Sequence, residues 1–107
     1  MTSLDYYLQS IRSSLRPDQV FFTLSSTRYT SPLPTQIDYL FLDSNWYTNE
    51  HIDVTKLVSV SKHIIVKDTN QGLSRDLYQL LNSECHTWKM VKNNPFEGYG
   101  WSAFQRQ

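Results

Sequence analysis

The sequence predicts an α+β domain, with two helices packed on a mainly antiparallel or mixed sheet of about five to six strands. Three observations predict it. Apolar residues recur at helical spacing over only two long stretches, near 3–15 and 73–84. The rest of the chain carries short apolar or alternating runs of strand length. The 107 residues show no repeat, low-complexity tract or linker, which is the size and continuity of one domain spanning 1–107. A small three-layer α/β arrangement is the alternative, and residues 52–61 decide between the two.

Leu4, Leu8, Ile11 and Leu15 place one apolar face on the first helix, with Tyr7 beside them. Thr2 or Ser3 can cap its free amides, Asp5 suits the positive end of the helix dipole, and Pro17 stops it. From Gln19, "QVFFTLSSTRYT" reads as a strand with Val20, Phe22 and Leu24 on one face. Pro32 and Pro34 mark a loop. In "QIDYLFLDS" at 36–44, Ile37, Tyr39 and Phe41 take one face and Leu40 and Leu42 the other, the mark of a strand buried on both sides. "IDVTKLVSVS" fits either a strand or a helical turn, and its β-branched content favours strand. "KHIIVKD" at 62–68 is a short buried strand. Leu73, Leu77, Leu80 and Leu81 form the stripe of the second helix, with Asp68, Thr69 or Asn70 at its start. "HTWKMVK" and "GWSAFQR" close the chain as a hairpin with the tip "KNNPFEGYG", in which Trp88 and Met90 meet Trp101 and Ala103.

Composition narrows the function classes. Lys plus Arg equals Asp plus Glu at ten each, without the basic surplus usual in nucleic-acid binders. Zero net charge leaves little repulsion between copies, so a homodimer is compatible with the chain. No apolar run reaches the roughly 18 residues of a membrane span, and the start of the chain lacks the pattern of a signal peptide. Cys85 is the one cysteine and has no internal partner. A reducing, cytoplasmic setting is the expectation. Ala103 is the single alanine in a chain rich in Ser, Thr and Asn. That composition is read as the AT-biased coding of a phage or mobile element.

No motif names a reaction. The only glycines are Gly72, Gly98 and Gly100, and "EGYG" does not lead into an obvious helix as a phosphate loop requires, so they read as turn glycines. His51, His63, His86 and Cys85 lack the spacing of a zinc site, so no metal or cofactor is expected. Cys85 has no flanking signature of a nucleophile, and no Gly-x-Ser-x-Gly elbow occurs. Asp38, Asp43 and Lys56 loosely resemble the acids and lysine of a small metal-dependent nuclease. However, two residues separate Asp53 from Lys56 where such enzymes commonly have one. Arg28, Lys89 and Lys92 lie near aromatic rings, as in a stacking surface for nucleic acid, though half-buried strands produce the same alternation.

Aromatics make up 14% of the chain, and several fall in expected loops. Tyr and Trp are enriched where proteins meet, since each ring buries a large area at small entropic cost. The sequence reading is therefore a non-catalytic module that binds another protein, such as a small inhibitor, immunity or accessory protein. Trp46, Tyr47, Phe96 and Tyr99 are its candidate contacts. A metal-dependent nuclease and a nucleic-acid-binding protein are the alternatives.

Overall fold

Helices cover both faces of a five-stranded mixed sheet in the computed structural model, which describes all 107 residues. The elements are α1 (Ser3–Ser13), β1 (Phe21–Leu24), β2 (Ile37–Leu42), α2 (Val54–Ser59), β3 (Ser61–Lys67), α3 (Gly72–Ser83), β4 (Trp88–Asn94) and β5 (Trp101–Arg106). The sheet order is β1-β2-β3-β5-β4. β1, β2 and β3 are parallel, and β5 runs antiparallel to both β3 and β4. The radius of gyration of 13.0 Å is that of one domain of about 100 residues. The class is the expected α+β, with one helix more than the sequence reading gave.

That helix is α2, and it corrects the reading of 52–61 as strand. Asp53 accepts the Thr55 amide at 3.0 Å and starts it. Val54, Leu57 and Val58 then fall on one face, and Leu57 is fully buried. The far end is held from outside the segment. The Arg106 guanidinium donates to the carbonyls of Val58 at 2.8 Å, Ser59 at 3.3 Å and Ser61 at 2.9 Å. It also lies 4.4 Å over the Trp88 ring. A cap supplied by the last strand outweighs a local β preference that spans only about 1 kcal/mol.

The two faces have separate cores. Leu4, Leu8 and Ile11 of α1 cover Phe41, Ile65, Trp101 and Ala103. On the other face Leu57 of α2 and Leu77 and Leu81 of α3 pack on Leu40, Ile64, Val66 and Phe104. β2 and β3 thus bury side chains on both sides, as the doubly apolar "IDYLFLD" and "KHIIVKD" predict.

Two further details differ from expectation. The buried stripe of α3 is Ser74, Leu77 and Leu81, while Leu73 and Leu80 face solvent. In the hairpin, Met90 pairs with Phe104 and Trp88 with Arg106. Trp88 and Met90 therefore lie on the α2/α3 face and Trp101 and Ala103 on the α1 face. A bulge between Met90 and Lys92 shifts the register, which alternation counted along one strand cannot reveal.

The β1–β2 crossover, residues 25–36, has no helix to satisfy its backbone. The buried Asn49 side chain does so instead. Its amide donates to the carbonyls of Ser25 and Thr27 and its oxygen accepts the Tyr29 amide. Tyr29 then packs edge-on against Phe22 at 5.1 Å.

Candidate functional site

The carboxyl ends of β2 and β3 open side by side, because the strands are parallel. Loops that follow neighbouring parallel strands converge at one end of a sheet, which is where open α/β sheets form their ligand crevices. Four segments meet there: the β2–α2 loop, the β3–α3 loop, the start of α1 and the tip of the β4–β5 hairpin.

Both strand ends turn through left-handed backbone. Asn45 has φ 58° and Asp68 φ 64°, a region in which few non-glycine residues sit and in which Asn and Asp are enriched. The turn after Asn45 continues as a 3-10 turn, Trp46–Thr48. It drives the Trp46 ring inward, where its indole nitrogen donates to Ser74 at 2.8 Å. Trp46 is 7% exposed, so the structure places it in the core and not among the surface rings. Tyr47 stands edge-on against it at 5.8 Å and donates its hydroxyl to Asn45 at 3.0 Å.

The hairpin tip is tied on two sides. From the β3–α3 loop, the Asp68 amide donates to the Gly100 carbonyl at 2.8 Å and the Asn70 amide to the Tyr99 carbonyl at 2.9 Å. The Asn70 side chain donates to the Pro95 carbonyl at 2.7 Å. From the other side, Glu97 accepts the Ser3 hydroxyl and the Leu4 amide at the start of α1. The Ser3 hydroxyl, followed by the backbone amides of Leu4 and Ser3, holds the Glu97 carboxyl below its ordinary value. Thr2 does the same for Asp5 through a capping box.

Phe96 stands on this fixed tip at 97% exposure, with Tyr99 at 60% and Tyr47 at 38%. Three of the four candidate contact rings thus stand exposed on loops at one end of the sheet.

The same four segments enclose a crevice of about 480 Å³. Lys67 at the end of β3, Asp68 and Gln71 from the β3–α3 loop, Asn45 from the β2–α2 loop, and Tyr99 and Glu97 from the tip contribute to its walls. The Lys67 ammonium lies 3.6 Å from Asp43, which also accepts the Ser44 amide. Sequence reasoning missed the crevice. It treated Asp68 only as a helix cap, and Asn45 did not figure in it. The available signal was an Asn or Asp just past each of two buried strands.

The other candidate sets are not brought together. Asp38 near the start of β2 and Asp43 just past its end lie five residues apart, about 17 Å at strand rise, and Lys56 is exposed on α2. Asp38 instead accepts the Val20 amide at 2.8 Å and pairs with Lys62 at 3.4 Å. No three His, Cys, Asp or Glu side chains converge closely enough to hold a metal ion. Arg28 follows β1 at one edge of the sheet, whereas Lys89 and Lys92 sit on β4 at the other. Cys85 and His86 are exposed. No helix is long and apolar enough to cross a membrane.

Asp38 carries a pH prediction. The Val20 amide, followed by Lys62, lowers its carboxyl from the ordinary value. A depressed folded-state value means that its contribution to stability is present above the unfolded-state value of about 3.9. That contribution is lost as pH falls through the lower folded value. Denaturant midpoints of wild type and Asp38→Asn, measured from pH 7 to pH 2, should therefore converge on acidification. A constant gap would remove the assignment.

No protein-family model matches the chain, and neither any curated protein nor any solved structure shows significant similarity to it.

Proposed function

We propose that this domain binds another protein through the loops at the carboxyl end of its sheet, with Phe96 and Tyr99 as anchors and Tyr47 at their margin. The supporting observation is Phe96, a phenyl ring at 97% exposure on backbone tied to both α1 and the β3–α3 loop. An apolar ring on a fixed tip loses little conformational entropy on docking and gains the burial of its full surface. Trp46 serves this surface from below by fixing the loop that carries Tyr47. In this reading the protein is an inhibitor, immunity or accessory factor in the cytoplasm, where an exposed lone thiol such as Cys85 stays reduced.

The test is affinity capture from native-host lysate, with nuclease treatment, using wild type and Phe96→Ala/Tyr99→Ala. A protein partner should survive nuclease and bind the double variant about 30-fold or more weakly, as expected for hot-spot rings. The variant should keep the wild-type melting temperature, because neither ring is in a core cluster. Undiminished capture by the variant, or capture that vanishes with nuclease, would reject the assignment.

A further inference from the structure

The crevice beside Tyr99 offers a second kind of recognition at the same end of the sheet. Its volume of about 480 Å³ lies within the roughly 300–1,000 Å³ of small-molecule sites. Most of its charged groups are already engaged by the protein. The Asp5 carboxylate accepts the Thr2 amide at the start of α1, Glu97 holds Ser3 and Leu4, and Lys67 faces Asp43. What remains is mixed in character. The Asp68 carboxylate takes part in no hydrogen bond or ion pair within the protein. The Asn45 oxygen accepts the Tyr47 hydroxyl, which leaves its amide nitrogen free to donate. The Lys67 ammonium has one ion-pair contact and three protons. The Tyr99 ring is exposed at the rim.

Free acceptors beside free donors exclude several ligand classes. A phosphate or carboxylate would meet Asp5, Asp68 and Glu97 against the single Lys67, which is already paired with Asp43. A purely apolar ligand would strand the Asp68 carboxylate and the Lys67 ammonium away from water. A bare cation would leave the Asn45 amide and the Lys67 ammonium without acceptors.

We propose that the crevice binds a neutral polyhydroxylated ring, that of a free sugar or the ribose of a nucleoside. Hydroxyls both donate and accept, so neighbouring hydroxyls match this lining. Asp68 accepts their hydrogens, Asn45 and Lys67 donate to their oxygens, and Tyr99 flanks the ring's apolar C–H face.

The test is an ¹⁵N–¹H titration of the whole chain with methyl α-D-glucopyranoside, adenosine and 2′,3′-dideoxyadenosine. At least one of the first two should shift the amides of Asn45, Asp68 and Gly100 saturably, below about 50 mM. Response to the glucoside identifies a free sugar as the source. Response to adenosine alone, lost with the dideoxy compound, identifies a nucleoside ribose. Asp68→Asn keeps a residue suited to left-handed backbone and should weaken binding about tenfold. Asn45→Asp, which replaces the free amide donor, should do the same and guards against a folding defect in the first variant. Absence of saturable shifts, equal response to adenosine and its dideoxy analogue, or wild-type affinity in both variants would overturn the proposal.

Discussion

Trp46→Ala should destabilise the domain by about 4 kcal/mol, the loss typical of emptying a buried aromatic site. The indole is 7% exposed and belongs to the main core cluster with Leu42, Leu77 and Val66. Its removal leaves a cavity under the β2–α2 loop. It also strands the Ser74 hydroxyl, itself 2% exposed, without its indole partner. Against a total stability of about 5–15 kcal/mol for an ordinary domain, that loss removes from about a quarter to most of the total. Trp46→Phe keeps most of the volume and should cost far less, chiefly the Ser74 bond. Tyr47→Ala, one residue on, should leave the denaturant midpoint nearly unchanged. Chemical denaturation of the three variants checks this. Equal small losses in the two alanine variants would refute the assignment of Trp46 to the core.

Gly100→Ala is the second large effect, expected at about 3 kcal/mol from left-handed strain together with overpacking. Gly100 has φ +85°, a backbone conformation that side chains with a β-carbon rarely adopt. An added β-carbon would stand 2.5 Å from the Thr69 hydroxyl oxygen and 3.1 Å from the Asn70 amide nitrogen. Thr69 is buried, at 4% exposure, so a change of its rotamer would have to be made within the packed interior. The Gly100 carbonyl also accepts the amides of Asp68 and Thr69, so any backbone shift disturbs the β3–α3 loop. The melting temperature should fall by roughly 15 °C. Gly98→Ala is the control: it shares a positive φ of 56° but meets nothing within 4 Å. It should show the strain alone, about half the loss. Equal losses at the two positions would refute the steric part of the explanation.

These two residues also show what the sequence could tell. Trp46 looked like a loop ring because it follows a strand in polar company. Its burial comes from Ser74 and the α3 face, which arrive from 28 residues away. Phe96 looked no different in sequence, and it is exposed because Glu97 and Pro95 are held by α1 and Asn70. Strands with apolar residues on both faces were legible because no other arrangement hides them. The capping box of α1 was legible because Thr2 and Asp5 meet within one turn. α2 was not, since Arg106 supplies its terminal cap from the other end of the chain. The crevice was hidden for the same reason: its walls come from four separated segments, and only folding makes them neighbours.

The place of β5 bears on how the chain reaches this state. β5 is the last of the sheet's five strands to be synthesised, yet it lies between β3 and β4, both made earlier. Until it arrives, Ile64, Ile65 and Val66 sit on an unpaired strand edge beside a half-covered core. Open apolar edges of that kind template intermolecular pairing. The α2 cap from Arg106 is missing over the same interval. The nascent chain therefore has a window of vulnerability to aggregation that closes only with residues 101–106. Slowing translation would lengthen that window, and holdase chaperones that shield β3 would be its natural guardians.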